Sequence, residues 1–253
     1  SITDDAGTLP VTAEQSLNRL GLYFASQCVP RASESAEEKQ HERSVLKRLN
    51  VLAAMTDAGP FGSSISSDEL DEAIALLPSG KAAGPDDVPA EFIIHAGSEA
   101  RAVLRSVLDY SLQRGVLPQG WRDGNMTPLY KEAGSQSKAN NYRPISLTAI
   151  MCKLAEMLLL KRFEPLKRKL YKYQFAYRNG CNTVDALFCL QQRVSAAFDA
   201  GEHCSVAFLD LSKAFDSVWH EGLLIQLYDF GITGAAWRWI RAFLTGRRVR
   251  AVF

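Results

Sequence analysis

One acidic residue, Asp210, lies in an otherwise apolar run from Val206 to Leu211. An unbroken apolar run of this length predicts a strand that is buried on both faces. A carboxylate in such a place usually has a cation or another charge beside it, because an isolated buried charge is costly. The order of strand, acid, turn, aromatic residue (Phe215) and helix suits a metal ion at a sheet edge. Taken alone, the stretch fits an Asp that only caps the turn even better.

Two cations, Lys131 and Arg143, flank a polar loop between two predicted strands, at about 126–130 and 142–147. A hairpin of this kind can hold both cations over one anionic ligand. Lysine supplies a point charge, and arginine supplies a fork that matches phosphate oxygens. Pro144 predicts that the second strand lies at an edge of its sheet. The alternative is that both cations are solvated loop residues.

A third group is the segment Gln174–Gly180, which mixes two amides, two aromatic rings and a guanidinium group. The phosphates and base faces of a nucleic-acid strand are bound by side chains of these types. By itself the segment is weak evidence, because aromatic and basic loop residues are common.

Charge is distributed unevenly along the 253 residues, although the net charge is only +1. Residues 1–100 contain 7 Lys and Arg against 16 Asp and Glu, a difference of −9, whereas residues 121–178 contain 12 against 4, a difference of +8. A basic middle after an acidic start indicates a polyanionic partner on one face. A pair of solvated helices is the alternative.

The composition excludes several other classes of protein. The most apolar stretch, 149–160, contains Lys153 and Glu156 and is too short to span a bilayer. No secretory signal is visible at the start of the sequence. The five cysteines form no CxxC pair, which favours a reducing compartment over a disulfide framework or a zinc site.

Helices outnumber strands in the predicted elements. Capping patterns at Thr12 and Ser66 begin helices, and Gly115 and Gly231 end helices. The helix that ends at Gly115 should turn five apolar residues inward, namely Val103, Leu104, Val107, Leu108 and Leu112. The other predicted helices lie at about 37–55, 148–158, 183–200, 218–230 and 235–244, and a last strand follows Gly246.

The order of several short motifs along the chain matches that of a known family. The sequence resembles the reverse transcriptases of non-LTR (LINE-type) retrotransposons, over roughly the last two-thirds of the chain. The matching stretches are KAAGPDDVPAEF (81–92), GVLPQGW (115–121), TPLYKE (127–132), NYRPISLTAIMCKLAEMLL (141–159), QFAYRNGCNT (174–183), FLDLSKAFDSVWH (208–220) and FLTGRR (243–248).

The resemblance implies roles for three residues at the reaction centre. In the family, the Asp at the Asp210 position ligates both catalytic Mg²⁺ ions, and the carbonyl of the next residue, here Leu211, binds one of them. The aromatic residue at the Phe215 position stacks under the incoming sugar and rejects a ribose 2′-hydroxyl. The two ions activate the primer 3′-hydroxyl and neutralise charge on the leaving pyrophosphate.

Four further residues match family positions that hold the nucleotide and the template. Lys131 and Arg143 match residues of the fingers that grip the triphosphate. Gln174 and Arg178 fall in a motif that contacts the template strand and supports the nucleotide pocket. The implied partners are an RNA template, a DNA primer and dNTPs.

The sequence departs from the family pattern in three places. Asp87 stands where glycine is usual, which loses a preference for positive φ, and Ala176 also replaces a glycine. The second metal motif of the family, an aromatic residue followed by x-Asp-Asp, does not occur in these 253 residues. One carboxylate cannot hold two Mg²⁺ ions, so we expect this fragment to be inactive alone.

The resemblance implies an α+β fold of the polymerase right-hand type, comprising fingers and part of the palm, helix-rich with a small antiparallel sheet and truncated. Residues 1–65 are expected to be a helical linker after an endonuclease, and 66–253 the reverse transcriptase domain of a larger polyprotein. The expected location is the nucleus and cytoplasm, as ribonucleoprotein, with no membrane partner.

Two other functions compete with this interpretation. The chain could be a non-catalytic, nucleic-acid-binding remnant of a retroelement. A phosphatase with a nucleophilic Asp after a buried strand is disfavoured, because its second acid would fall at Ser212.

Overall fold

The computed structural model of the chain describes residues 2–3, 12–28, 35–132, 134–211 and 213–252. Helices predominate in it, and three short strands form one sheet. The elements are α1 Ala13–Gln27, α2 Ala36–Ala53, α3 Ser67–Ala75, α4 Ala90–Ile94, α5 Ser98–Arg114, α6 Gln119–Arg122, β1 Asp123–Tyr130, β2 Tyr142–Thr148, α7 Ile150–Arg162, α8 Thr183–Asp199, α9 His220–Phe230, α10 Gly234–Leu244 and β3 Arg248–Ala251, with 3₁₀ turns at Ala139–Asn141 and Glu164–Lys169.

Two compact units divide the chain. The first comprises Ser1–Glu164 and Phe215–Phe253, and the second is Pro165–Ala214. The boundary predicted at residue 65 stays a prediction. None of the helices described is both long and apolar enough to cross a membrane.

Side-chain caps begin the first three helices, as the sequence predicts at two of them. The Thr12 hydroxyl accepts a hydrogen bond from the Gln15 backbone N–H, and the Gln15 side chain accepts one from the Thr12 backbone in return. Ser66 accepts a bond from the Glu69 backbone N–H and begins α3. These bonds satisfy N–H groups that have no partner inside the helix, which is why short polar residues stand at these positions.

The core of the first unit is built around two buried tryptophans of α10. The Trp237 indole donates a hydrogen bond to the Leu224 carbonyl at 2.7 Å, and the Trp239 indole donates to the Ser111 hydroxyl at 3.0 Å. Ser111 in turn donates to the Val116 carbonyl at 2.6 Å. Both indoles are therefore buried with their N–H groups satisfied, which removes the main cost of burying tryptophan.

The prediction for the inward face of α5 is wrong at two residues. Leu108 and Leu112 are buried, but Val103 and Val107 are exposed. Helical periodicity identifies an apolar stripe on α5. The helices that pack against α5 cover only part of the width of this stripe. Gly115 ends the helix with φ +63°, as expected.

The sheet is mixed rather than antiparallel, which corrects the predicted topology. Its strand order is β2-β1-β3, with β1 and β2 antiparallel and β1 and β3 parallel. A tight connection forces neighbouring strands to run in opposite directions, whereas a long one permits a parallel pair. Since α9 and α10 precede β3, local sequence could not decide its direction. Strand β2, which contains Pro144, lies at an edge as predicted.

The buried strand predicted at Val206–Leu211 is absent. These residues adopt no regular secondary structure, and the side chains of Phe208 and Leu209 are 85% and 96% exposed. A strand forms only where a neighbouring strand accepts its backbone hydrogen bonds, and no described residue pairs with this stretch. An apolar run has side chains that suit a buried strand, but it does not provide the neighbouring strand that a sheet requires.

A nearly buried ion pair joins α3 to α7. The Arg162 guanidinium donates to both carboxylate oxygens of Glu69, at 2.6 and 2.8 Å, and also to the Phe61 and Ser63 carbonyls. The guanidinium lowers the pKa of the Glu69 carboxyl. A second pair between the same helices, Lys161 with Glu72, is half exposed.

We predict that Glu69→Gln lowers the free energy of unfolding by about 2–3 kcal/mol, because it leaves a buried guanidinium without its counter-charge. The pair should stabilise the chain above the pKa of an unfolded Glu, about 4.3, and lose this effect as the pH falls through the lower folded value. Urea titrations at pH 7 and pH 3 measure both effects.

The matched control is Glu72→Gln, which removes the exposed pair between the same two helices and should cost under about 1 kcal/mol. Equal losses of unfolding free energy in the two variants would contradict a larger contribution from the more buried pair of Glu69.

Candidate nucleotide and nucleic-acid site

The hairpin of β1 and β2 places Lys131 and Arg143 on the same face. Arg143 is in register with Leu129, and the backbone N–H of Lys131 donates to the Asn141 carbonyl, which continues the ladder by one more pair. Because side chains alternate between the faces of a strand, Lys131 and Leu129 share a face and Lys131 becomes a diagonal neighbour of Arg143. The predicted pair of cations is thus brought together.

Tyrosines on the opposite face hold the connecting loop. The rings of Tyr130 and Tyr142 form a cross-strand pair with centroids 5.6 Å apart. The Tyr130 hydroxyl donates to the Gly134 carbonyl, and the Tyr142 hydroxyl donates to the Gln136 carbonyl. These bonds fix part of the polar loop against the hairpin.

The two cations differ in their availability. The Lys131 ammonium donates to the Asn140 carbonyl at 2.7 Å, so part of its donor capacity is used within the loop. Arg143 is exposed, and its guanidinium has no hydrogen bond or ion pair with any described residue. A planar fork in this state can bind phosphate or carboxylate in a bidentate manner.

Gln174 and Arg178 lie in one turn of the second unit. A single nitrogen of the Arg178 guanidinium, Nη1, is 3.3 to 3.5 Å from three backbone carbonyls, those of Tyr171, Lys172 and Gln174. The Gln174 side chain donates to the Ala176 carbonyl. Arg178 therefore stabilises the turn, while its remaining N–H groups can still reach a ligand. Neighbouring Tyr177, rather than Ala176, has a positive φ of 58°.

A cluster around Tyr173 was not identified from the sequence. The Arg193 guanidinium donates to the Tyr173 hydroxyl at 2.8 Å, and the Lys172 ammonium lies 4.9 Å from the centre of its ring. The hydrogen bond from Arg193 lowers the pKa of the Tyr173 phenol. Arg193 is twenty residues away on α8, so only the neighbouring basic run 161–172 hinted at this cluster.

Asp210 and Leu211 lie in the exposed, irregular stretch 206–211 of the second unit, and Phe215, in the first unit, is 76% exposed. Within the residues described, no three His, Cys, Asp or Glu side chains are grouped to hold a metal ion. Mg²⁺ requires several oxygen ligands, so the single carboxylate of Asp210 does not fit a complete site for two ions.

Comparison with known proteins identifies the family. Residues 131–252 match the reverse transcriptase (RNA-dependent DNA polymerase) family. This segment belongs to that family. The matched range contains all seven residues proposed from the sequence as site residues.

The chain is also similar to proteins of mobile elements. It is 33% identical over 168 residues to the probable RNA-directed DNA polymerase from transposon BS of Drosophila melanogaster, covering 64% of this chain and 18% of the relative. It is 30% identical over 167 residues to the RNA-directed DNA polymerase from mobile element jockey of the same species, covering 65% and 18%.

A third relative is the Pol polyprotein from the type-1 retrotransposable element R1 of Bradysia coprophila, 25% identical over 231 residues, covering 87% of this chain and 20% of the relative. The chain therefore spans about a fifth of the length of these relatives. The reverse transcriptase family generally uses divalent metal ions.

We predict that Arg178→Ala increases amide hydrogen exchange in residues 171–178 of this reverse transcriptase segment, because three carbonyls lose a common donor. Exchange in α8 should not change. Mass spectrometry of the exchanged peptides measures both segments.

Arg168→Ala is the control, since Arg168 donates to the single carbonyl of Pro165 in the same unit. Unchanged exchange in 171–178 after Arg178→Ala would show that the turn does not depend on this side chain.

Proposed function

We propose that this chain is part of an RNA-directed DNA polymerase of a non-LTR retrotransposon, contributing the fingers and the first part of the palm to a right-hand fold. The reaction is template-directed transfer of a nucleotide to a primer 3′-hydroxyl. Its substrates are dNTPs, an RNA template and a DNA primer, and the longer protein is a polyprotein that acts in ribonucleoprotein particles of the nucleus and cytoplasm.

The observation that carries this proposal is the hairpin with Lys131 and Arg143 on one face, within a segment of the reverse transcriptase family. Lys131 belongs to the stretch TPLYKE and Arg143 to the stretch NYRPISL, and both stretches resemble the fingers of the family. The triphosphate of a dNTP presents several anionic oxygens together, which suits a lysine and an open arginine fork at diagonal positions.

The remaining residues have separate roles. Gln174 and Arg178 support the template strand from the turn that Arg178 stabilises. Phe215 lies under the incoming sugar and excludes a 2′-hydroxyl. The Asp210 carboxylate and the Leu211 carbonyl contribute to binding Mg²⁺, but only as part of a ligand set that needs further carboxylates.

When bound, two divalent ions neutralise charge that develops on the transferring phosphoryl group. This chain contributes an incomplete set of ligands, so the fragment alone should not polymerise.

A non-catalytic remnant that only binds nucleic acid is the second candidate. The basic and aromatic cluster of Tyr173, Lys172 and Arg193 favours it, since such a cluster needs no metal to hold a single strand.

The deciding experiment is to read the coding DNA beyond Phe253 and assay the complete protein on poly(rA)/oligo(dT) with Mg²⁺. Incorporation of dTMP, with an aromatic-x-Asp-Asp motif in the added sequence, supports the polymerase. Absence of both supports the remnant.

In the complete protein, we expect Asp210→Ala to lower kcat by at least about a thousandfold, because a metal ligand contributes several kcal/mol to the transition state. Arg143→Ala should instead raise the KM for dTTP on the order of tenfold and change kcat little, since it removes binding to the triphosphate. Steady-state kinetics of dTMP incorporation separate the two effects.

Arg43→Ala serves as the control, because Arg43 is an exposed arginine on α2 outside the matched segment. Equal defects in kcat for Asp210→Ala and Arg143→Ala, with no change in KM for the second, would contradict this division of roles.

A further inference from the structure

The face of the sheet that carries Lys131 and Arg143 extends across all three strands. Strand β3 is in parallel register with β1, so that Arg248 is opposite Asp123 and Arg250 is opposite Asn125. Residues in register point to the same side of a sheet. The contacts agree, because Arg248 Nε is 3.1 Å from Asp123 Oδ1 and Arg250 Nη2 is 3.5 Å from Asn125 Oδ1.

The two faces of this sheet differ in burial. On one side, Gly124 and Met126 are buried, and α1 approaches β3, where a Cβ on Gly21 would lie 3.7 Å from Ala251 Cβ. On the other side, the apolar side chains of Leu129 and Ile145 are 54% and 43% exposed. We call this second side the open face; Asn125, Thr127 and Leu147 at its centre are half-buried.

Positive charge dominates the open face. Four cations lie on it, namely Lys131, Arg143, Arg248 and Arg250, and Asp123 is the only acid among its described residues in register. Arg248 has a side chain 68% exposed in spite of its pair with Asp123. A surface of this composition attracts a polyanion, with apolar side chains between the charges to contact sugars or bases.

The distance between the outermost cations of the open face is longer than one nucleotide. Arg248 is in register with Asp123, and Lys131 follows eight residues later along β1, which corresponds to about 27 Å at the usual rise of a strand. At about 3.4 Å per nucleotide for a helical strand, this length holds several nucleotides. The two outer strands are only about 10 Å apart, which suits a single strand lying along the face.

We propose that Arg248 and Arg250 bind phosphates of a single nucleic-acid strand that crosses the open face. The strand runs from the triphosphate end at Lys131 and Arg143 to β3. The assignment of the triphosphate end rests on the proposed function, whereas binding by the two arginines of β3 does not. These two arginines are not among the site residues predicted from the sequence, although they alternate on a predicted strand.

The test uses the 253-residue chain and a fluorescein-labelled, single-stranded RNA of 12 nucleotides, with binding followed by anisotropy from 50 to 200 mM KCl. The variant R248Q/R250Q should bind on the order of tenfold more weakly at 50 mM KCl. The slope of log Kobs against log salt concentration should become shallower by about 1.4, because two phosphate contacts are lost.

Two further variants make the result specific. R43Q/K47Q removes two exposed cations from α2 and should leave the slope unchanged, although it changes the net charge by the same amount. Asp123→Asn breaks the pair with Arg248 but keeps both arginines, so binding should be unchanged or tighter.

Three outcomes would overturn the proposal. The first is no RNA binding by the unaltered chain, and the second is an equal loss of affinity in R248Q/R250Q and R43Q/K47Q. The third is a loss of affinity in Asp123→Asn as large as that in R248Q/R250Q. The last would show that Arg248 acts through the fold alone. Failure of the complete protein to incorporate dTMP, with the binding results intact, would refute the polymerase and leave this surface standing.

Discussion

The register of β1 against its two neighbours is the constraint on which the candidate site depends. Side chains alternate along a strand, so a slip of one residue in either pairing would move a whole row of side chains to the opposite face. The observed register directs Met126 into the core and brings Lys131 and Arg143 together on the open face. The tyrosine pair on the other side of the hairpin fixes this register through its ring contact and its bonds to the loop.

The helices around the sheet are held by bonds that satisfy buried polar groups. Trp239 reaches α5 through Ser111, and Arg162 reaches α3 through Glu69 and the segment before it. Each bond offsets the cost of burying a donor, and together they connect parts of the chain that are more than ninety residues apart. Residues before 66, predicted as a linker, take part as well, since Arg48 of α2 pairs with Asp229 of α9. Helix α2 thus contacts an element that follows Asp210 in the chain.

Arg178 illustrates how a family motif and a local structure can describe one residue differently. The motif predicts that Arg178 contacts the template, while its observed bonds go to three carbonyls of its own turn. Both descriptions hold if Arg178 positions the turn and the turn presents Tyr171, Tyr173 and Gln174 to the template. The hydrogen-exchange experiment tests the first of these contributions. A similar distinction applies to Arg248, which either supports Asp123 or binds a phosphate beside it.

The sequence alone determined the local features of this protein: the helix caps at Thr12 and Ser66, the stop at Gly115, the β1–β2 hairpin and the motifs of a reverse transcriptase. Each depends on residues close together in the chain, whose propensities and hydrogen bonds are local. Tertiary structure alone decided the parallel pairing of β3, the meeting of Tyr173 with Arg193 and the exposure of Val103 and Val107. It also left Val206–Leu211 without a paired strand among the residues that the structure describes. Pairing and burial depend on segments distant in sequence, which a local pattern cannot specify.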